Sequence, residues 1–248
     1  MELSVFFADH PRAAVAFSGG VDSTYLLYAA LQSGADVTAY YVKTSFQPAF
    51  ELADARRLAA ELNAPLRVLT LDVLADPVVA ANPADRCYYC KRRIFTAIGN
   101  AAAEDGYDLL LDGTNASDDA ADRPGMRALR ELSVLSPLRE CGLTKEEIRR
   151  RSKEAGLFTW DKPAYACLAT RIGAGEPITA EKLARTERAE AYLFSLGFSD
   201  FRVRSRGDTA VVQLREEQFP LFMDCRKAIR GTLLKDYREI LLDTGERP

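Results

Sequence analysis

The sequence lacks the patterns that mark membrane-spanning, secreted and nucleic-acid-binding proteins. No apolar run approaches the roughly 20 residues of a membrane span. The formal net charge of −3 provides no overall attraction to nucleic acid. The N-terminal residues MELSVFFADHPR contain neither a basic segment nor a small-residue cleavage site, so we expect no signal peptide and a cytoplasmic location.

Histidine is nearly absent, and cysteine is sparse. The single histidine, His10, is expected to be a surface residue. Among the five cysteines, Cys87 and Cys90 form the one C-x-x-C pair, and nothing in the sequence completes the four ligands of a structural zinc site. Without a secretion signal, these cysteines favour a reducing compartment and metal or catalytic roles over disulfides. Cys141 and Cys225 lie apart from every motif and are interpreted as structural.

The first two-thirds of the 248-residue chain alternates short apolar segments with helical patterns. This alternation predicts an α/β fold with a doubly wound parallel sheet covered by helices on both faces. The predicted strands are 14–17, 36–43, 65–73 and 107–114, and the predicted helices lie near 23–33, 48–62, 91–104, 124–133 and 144–155. Ligands of such sheets bind at the carboxyl ends of strands, so SGGVDS and LDGTN, which both follow strands, are predicted neighbours.

The turn-rich segment IGAGEPIT (172–179) marks a change in composition. We therefore predict a first domain over 1–172 and a smaller α/β domain over 173–248, with short strands in DFRVRS and DTAVVQL and a final apolar stretch in YREILLD. Arg202 and Arg204 are two residues apart on one predicted strand, so they share a face and suit a phosphate group. The alternative is a solvated basic edge strand.

The stretch AVAFSGGVDSTYLL reads as a strand, a tight turn and a helix. Such a turn leaves backbone N–H groups of the first helical turn unpaired, which together with the helix dipole forms an anion site. Gly19 and Gly20 remove side chains from the path of an oxyanion, and Ser18 and Ser23 add hydroxyl donors. The alternative is a plain strand-to-helix corner capped by Asp22 or Ser23.

This loop is neither a Walker motif nor a dinucleotide fingerprint, because it lacks the Gly-Lys-Ser/Thr sequence and the third glycine that these require. It resembles the SGGxDS loop of the ATP pyrophosphatase (PP-loop) family. The resemblance implies that the loop holds the β,γ-pyrophosphate of ATP. It also implies that ATP is split between its α- and β-phosphates to leave an adenylate on the substrate.

The C-x-x-C pair precedes the basic stretch KRR, and cations lower the pKa of neighbouring thiols. Cys167 lies in KPAYACLATR, where the simplest interpretation is a buried small side chain. Three cysteines can also hold a four-iron cluster with one iron open to an outside ligand, or one of them can carry or surrender sulfur. A thioredoxin-type dithiol is less consistent with the sequence, since SGGVDS occupies the place after the first strand.

A series of motifs extends along nearly the entire chain: SGGVDSTYLL, NPADRCYYCKRRIF, LDGTNASDDAADRPGMRAL, SPL, KPAYACLATRI, EAYLFSLGF and FRVR. Together, and in this order, they resemble the sacrificial sulfur transferases of the LarE family. The resemblance implies a PP-loop domain with a small C-terminal domain, acting on pyridinium-3,5-biscarboxylic acid mononucleotide. The carboxylates of that nucleotide become thiocarboxylates during biosynthesis of the nickel-pincer nucleotide cofactor of lactate racemase.

The resemblance also implies roles for particular residues. The implied catalytic residues are Cys87, Cys90, Cys167 and Glu190; the implied ATP-binding residues are Ser18, Gly19, Gly20, Asp22, Ser23, Thr44 and Gly113; the implied ligands of the substrate phosphate are Arg171, Arg202 and Arg204. Asp22 is also implied to hold part of a magnesium ion.

Cofactors follow from the same resemblance. Members with one site cysteine sacrifice it and leave dehydroalanine, whereas members with three are associated with a [4Fe–4S] cluster that carries an extra sulfide. Cys87, Cys90 and Cys167 place this chain with the second pattern, which implies ATP, Mg²⁺ and a [4Fe–4S] cluster. The resemblance further implies a homohexamer, a sulfur donor or cluster-assembly partner, and neither nucleic acid nor membrane as a partner.

Three other interpretations share part of this pattern. Enzymes of tRNA thiolation also combine a PP-loop with cysteines, but this chain lacks a dedicated RNA-binding domain and a long basic stripe. Ammonia-dependent amidation would use the same adenylation, yet it would leave the three cysteines without a role. A nucleotide-binding module without catalysis is opposed by the intact loop and the site cysteines.

Overall fold

The computed structural model describes residues 2–118 and 124–245 of the chain. The stretch 119–123 of the LDGTNASDDAADRPGMRAL motif lies outside the described residues. Two compact units are present: the first comprises Met1–Val73 and Asp85–Lys162, and the second comprises Leu74–Ala84 and Pro163–Pro248. Within the described ranges, no helix has both the length and the apolar composition of a membrane span.

The described residues form helices and strands in both units. The helices are α1 (Leu3–Asp9), α2 (Val21–Gln32), α3 (Ala49–Glu61), α4 (Pro77–Ala81), α5 (Arg86–Glu104), α6 (Pro124–Glu131), α7 (Pro137–Glu140), α8 (Lys145–Glu154), α9 (Ala180–Ser195) and α10 (Phe219–Leu233). The strands are β1 (Arg12–Ala16), β2 (Asp36–Lys43), β3 (Leu66–Thr70), β4 (Leu110–Leu111), β5 (Arg202–Arg206), β6 (Thr209–Gln213) and β7 (Glu239–Asp243).

The first unit contains a parallel sheet in the order β3-β2-β1-β4. Neighbouring residues on a strand point to opposite faces, and here both faces are covered. Tyr41 packs in an apolar cluster with Leu26 and Leu27 of α2, whereas Tyr40 packs in a second cluster with Ile98 of α5. Strands buried on both sides are apolar almost throughout, which is why they read as continuous apolar runs. The predicted doubly wound parallel sheet is confirmed.

Most predicted elements differ from the observed ones by a few residues at their ends, and two of the differences change the interpretation. The strand expected over 107–114 is reduced to β4, because the chain beyond it forms a loop in which the Asp112 carboxylate accepts hydrogen bonds from the hydroxyls of Thr114 and Ser136. The helix expected from residue 91 begins at Arg86. The C-x-x-C pair therefore lies within the first two turns of α5 rather than in a preceding loop.

The second unit is built around a three-stranded sheet. Strand β5 pairs antiparallel with β6, and β6 pairs parallel with β7. Helices α9 and α10 pack on this sheet through an apolar cluster that includes Leu193, Phe201, Val212 and Ile229. The unit therefore has a core of its own.

The division between the units falls between Lys162 and Pro163, ahead of the boundary predicted after residue 172. The intervening residues pack within the second unit, where Ile172 forms a β-bridge with Ser205. The segment Leu74–Ala84 also belongs there, since the Asn82 side-chain amide donates to the Gly173 carbonyl over 2.7 Å. Both assignments depend on contacts between residues far apart in sequence, which local composition does not reveal.

Candidate active site

The SGGVDS turn connects β1 to α2 and is held together by its own serines. The Ser18 N–H donates to Ser23 Oγ over 3.2 Å, and the two serine Oγ atoms lie 3.1 Å apart. Gly20 is the N-cap of α2 and has no side chain that could accept the N–H groups of the first turn. Those N–H groups are therefore available for an anion at the helix N-terminus.

Two glycines let other backbone segments approach this turn closely. Gly19 has φ of +71°, where other residues are strained, and a Cβ there would lie 3.3 Å from the backbone of Ala55. Gly113, in the loop after β4, would place a Cβ only 2.9 Å from the Ser23 nitrogen. This close approach confirms the prediction that SGGVDS and LDGTN are neighbours.

Asp22 is surrounded by partners that the sequence did not predict. Its Oδ2 lies 2.5 Å from the Lys145 Nζ, and its Oδ1 accepts from the Asn115 side-chain amide over 3.3 Å. The side chains are 22% exposed for Asp22 and 34% for Lys145, so this ion pair is partly shielded from water. A signal for Asn115 was present in LDGTN, whereas Lys145 lies 123 residues from Asp22 and had none.

Thr44 follows β2 and is buried. Its hydroxyl donates to Gln47 Oε1 over 2.6 Å and accepts from the Phe46 N–H over 3.0 Å. These contacts stabilise the turn that leads to α3. The implied role of Thr44 in ATP binding stays a prediction.

Cys87 and Cys90 are three residues apart in α5, so their side chains lie on the same side of the helix. Cys87 is exposed, Cys90 is half-buried, and neither forms a disulfide. The Arg86 guanidinium lies 3.8 Å from the Cys87 sulfur and donates toward it. A cation therefore lies beside the first thiol of the pair.

Cys167 lies in the second unit, immediately before a 3₁₀-helix at Leu168–Arg171. The carbonyl of Cys167 accepts from the Thr170 N–H over 3.0 Å and from the Thr170 hydroxyl over 2.8 Å. The Arg171 guanidinium donates to the neighbouring Ala166 carbonyl over 2.8 Å. The backbone that carries the Cys167 thiol is therefore stabilised by hydrogen bonds from residues that follow it in the sequence.

Arg171 and Glu190 form a buried, two-bonded ion pair and are 1% and 2% exposed. The Arg171 Nε and Nη2 lie 2.8 and 3.0 Å from the two Glu190 oxygens. Glu190 also accepts from the Val203 N–H over 2.9 Å and from the Tyr165 hydroxyl. Burial by itself lowers the pKa of Arg171, but the Glu190 carboxylate outweighs this effect and raises the pKa. Both charges are thus satisfied by each other.

The other two implied phosphate ligands, Arg202 and Arg204, also contact the Cys167 segment, by which we mean residues 164–170. Arg202 donates to the Ala164 carbonyl over 2.9 Å, and Arg204 donates to the Thr170 carbonyl over 2.5 Å. The predicted shared face of these two arginines is confirmed. Arg202 is only 9% exposed, which is inconsistent with a solvated edge strand. Binding of phosphate by either residue is not tested by these contacts and stays a prediction.

The implied iron–sulfur cluster is not shown by the arrangement of the described residues. Among the residues it describes, no group of three or more His, Cys, Asp or Glu side chains is placed to hold a metal ion. The first unit contributes Cys87 and Cys90, which by themselves supply two of the thiolates that a cluster needs. Cys167 belongs to the second unit.

Comparison with known proteins finds related sequences of known and unknown activity. Residues 12–83 match the family described as queuosine biosynthesis protein QueC. The pyridinium-3,5-bisthiocarboxylic acid mononucleotide synthase of Lactiplantibacillus plantarum is 35% identical over 96% of this chain and 87% of its own length. An uncharacterised Synechocystis protein is 40% identical over 89% and 83%, respectively. A tRNA-specific 2-thiouridylase of Clostridium botulinum is 28% identical over 60% of this chain and 51% of its own length.

The parallel sheet and the SGGVDS turn at the start of α2 define the class: an ATP-using PP-loop enzyme. Within that class, the chain belongs to the LarE family of sulfur transferases, since the synthase from Lactiplantibacillus plantarum aligns with nearly all of it. It therefore uses ATP to adenylate its substrate before sulfur transfer. The tRNA-thiolating relatives match a smaller part of the chain at lower identity.

Proposed function

We propose that this chain adenylates the carboxylates of pyridinium-3,5-biscarboxylic acid mononucleotide and converts them to thiocarboxylates. The relative from Lactiplantibacillus plantarum is named for the bisthiocarboxylic acid product. The observation in this chain that carries the proposal is the glycine- and serine-lined turn at the start of α2, which Gly113 and Lys145 approach from other parts of the first unit.

Activation is necessary because a carboxylate oxygen is a poor leaving group. A substrate carboxylate oxygen attacks the α-phosphorus of ATP, the bond to the α,β-bridging oxygen breaks, and pyrophosphate leaves. A sulfur nucleophile then attacks the acyl carbon, and AMP leaves with the carboxylate oxygen. The first-turn N–H groups of α2, the hydroxyls of Ser18 and Ser23, and the Lys145 ammonium stabilise the charge that develops on the pyrophosphate.

Mg²⁺ belongs to this proposal as a further source of positive charge. Mg²⁺ prefers carboxylate oxygens, which Asp22 provides. Both oxygens of Asp22 have partners, Lys145 and Asn115, so binding of the ion requires exchange of the Lys145 contact. When bound, the ion would neutralise phosphate oxygens of ATP.

We further propose that Cys87, Cys90 and Cys167 act as one unit that holds a [4Fe–4S] cluster, which when bound supplies the transferred sulfide. The support is the pairing of two thiols on one side of α5, beside the Arg86 guanidinium. The proposal includes a cytoplasmic homohexamer that receives sulfur from a donor or cluster-assembly system. Its product would serve the nickel-pincer nucleotide of lactate racemase.

For the polar residues that contact the Cys167 segment, we propose a positioning role in addition to the roles that the resemblance implies. Arg171, Arg202 and Arg204 all donate to carbonyls between residues 164 and 170, and Glu190 holds Arg171. This arrangement supports presentation of the Cys167 thiol in one fixed conformation. Recognition of the substrate phosphate by these arginines and a catalytic role of Glu190 stay predictions.

The proposal is tested with full-length protein purified anaerobically. Iron and sulfide per chain are measured first, then release of pyrophosphate and formation of thiocarboxylate with the mononucleotide and MgATP. Alanine variants of Cys87, Cys90 and Cys167 are each expected to lose most of the iron and most of the thiocarboxylate, while pyrophosphate release persists. Cys225→Ala is the matched control and should retain all of these properties.

Two results would contradict parts of the proposal. A spent protein lighter by about 34 Da, the mass of hydrogen sulfide, with the loss at Cys167 and with active Cys87→Ala and Cys90→Ala variants, establishes a sacrificial cysteine instead of a cluster. If pyrophosphate is released with tRNA but not with the pyridinium mononucleotide, the proposed substrate is wrong.

A further inference from the structure

A cleft of about 540 Å³ opens between α10 and β7 in the second unit, and none of its lining residues belongs to the site described above. Its volume lies in the range of small-molecule sites. Four of its lining side chains are cationic, namely Arg226, Lys227, Arg230 and Arg238, and one, Glu239, is acidic. Because the whole chain has a net charge of −3, this positive charge is a local property of the cleft.

The cations of α10 are placed to act together. Lys227 and Arg230 are three residues apart, and Arg226 and Arg230 are four apart, so all three share one helix face. Within the described part of the chain, the side chains of Lys227 and Arg230 make no hydrogen bond or ion pair with other residues. Arg238 forms a 3.3 Å ion pair with Asp208, in which both side chains are mostly exposed. Most of this positive charge is thus available to an external anion.

The helix dipole does not account for the cluster. A cation in the last turn of a helix is stabilised by the macrodipole, and this explains Arg230. Arg226 and Lys227 lie before the last turn of α10, where that effect has largely decayed.

Apolar side chains complete the cleft. Phe222 and Ile229 are buried at its base, and Leu234 is 38% exposed. Ile240 of β7 lines the opposite side. An inorganic anion would use only the cations, whereas an organic anion would also cover these apolar surfaces.

We propose that this cleft binds a small organic phosphomonoester. Its phosphate would lie between Lys227 and Arg230, because guanidinium groups bind phosphate oxygens with two parallel hydrogen bonds. Its apolar body would contact Leu234 and Ile240. This inference does not depend on the function proposed above.

The test is calorimetric titration of the full-length protein with phenyl phosphate, with phenol and inorganic phosphate as comparison ligands. Phenyl phosphate is expected to bind more tightly than either. Lys227→Gln and Arg230→Gln should each raise its Kd about tenfold, since each removes a charge-assisted contact. Lys235→Gln makes the same change of charge just beyond α10, outside the cleft, and should leave the Kd unchanged. Thermal unfolding of each variant confirms that it is folded.

Binding by the nucleotide loop is distinguished with Gly20→Val, in which phenyl phosphate should still bind with its original Kd. Three results would overturn the proposal. The first is equal weakening by Lys235→Gln, which indicates general charge attraction. The second is loss of binding in Gly20→Val but not in Arg230→Gln. The third is self-association that depends on Arg230 without phenyl phosphate binding, which indicates a protein interface.

Discussion

The two regions that carry the proposed chemistry are built in opposite ways. The SGGVDS turn consists of consecutive residues, and its anion site is made largely of backbone N–H groups. The Cys167 segment is held in addition by side chains from elsewhere in the chain: Arg202 and Arg204 donate to its carbonyls, and Glu190 accepts from the Tyr165 hydroxyl. A local change should therefore disable the turn, whereas a distant change should be sufficient to release the segment.

The largest effect is expected from Glu190→Gln, which leaves the buried Arg171 guanidinium without its counter-charge. Removing one partner of a buried ion pair costs about 3–5 kcal/mol, so the free energy of unfolding should fall by that order. Chemical denaturation measures it, with Glu181→Gln at the exposed start of α9 as control. The alkylation rate of Cys167 should rise at the same time, because its segment loses an anchor.

A double variant distinguishes a purely structural role of the Arg171–Glu190 ion pair from a role in positioning Cys167. In Arg171→Met/Glu190→Gln, stability should be partly restored, since no buried charge is left unpaired. Cys167 should nevertheless stay more reactive than in the unmodified chain. If its alkylation rate returns to the original value, the pair does not position the thiol.

The turn can be disabled by one added side chain at Gly113. Gly113→Val places a branched side chain 2.9 Å from the Ser23 nitrogen, so the start of α2 must shift. A displacement of about 1 Å in an active site costs about 100-fold in rate. Pyrophosphate release measures the loss, and Gly99→Ala, where an added Cβ meets no atom within 4 Å, should be fully active. Unchanged pyrophosphate release in Gly113→Val would falsify the ATP site proposed here.

A smaller effect is expected at the charge beside the turn. Lys145→Met removes the ammonium next to Asp22 and should raise the KM for ATP about tenfold. The Mg²⁺ concentration for half-maximal activity should fall, because the ion no longer competes with Lys145 for the carboxylate. Lys153→Met, on the same helix, is the matched control. If neither quantity changes, Lys145 does not contribute to nucleotide binding.

The exposed ion pair between Arg188 and Asp236 should contribute much less stability than the buried pair of Arg171 and Glu190. The Arg188 guanidinium hydrogen-bonds Asp236 and lowers the pKa of that carboxyl. The pair therefore contributes stability above the usual aspartate pKa of about 4, and this contribution disappears as the pH falls through the depressed value. Because the arginine is mostly exposed, the contribution should stay below about 1 kcal/mol. Asp236→Asn should be slightly less stable than the unmodified chain at pH 6, and the difference should vanish near pH 2.

The sequence predicted those strands and helices whose bounds depend on neighbouring residues. Strand β2 was predicted with its correct bounds, because residues 37–42 are almost all β-branched or aromatic, the types that favour strands. Strand β4 was overestimated, since the apolar run LLL does not show that Asp112 bonds the loop behind it. The positions of Cys87 and Cys90 within a helix were also missed, because polar residues before the pair obscure the start of α5.

By itself, the sequence determined the class of enzyme, the nucleotide loop and the alternation of strands and helices. These features depend on backbone dihedral angles and side-chain periodicity, which neighbouring residues set. Only the tertiary structure decided that Lys145 contacts Asp22, that Glu190 neutralises Arg171, and that residues 74–84 join the second unit. Such contacts arise when separate elements bury their faces against each other, and no local pattern specifies which distant residues then meet.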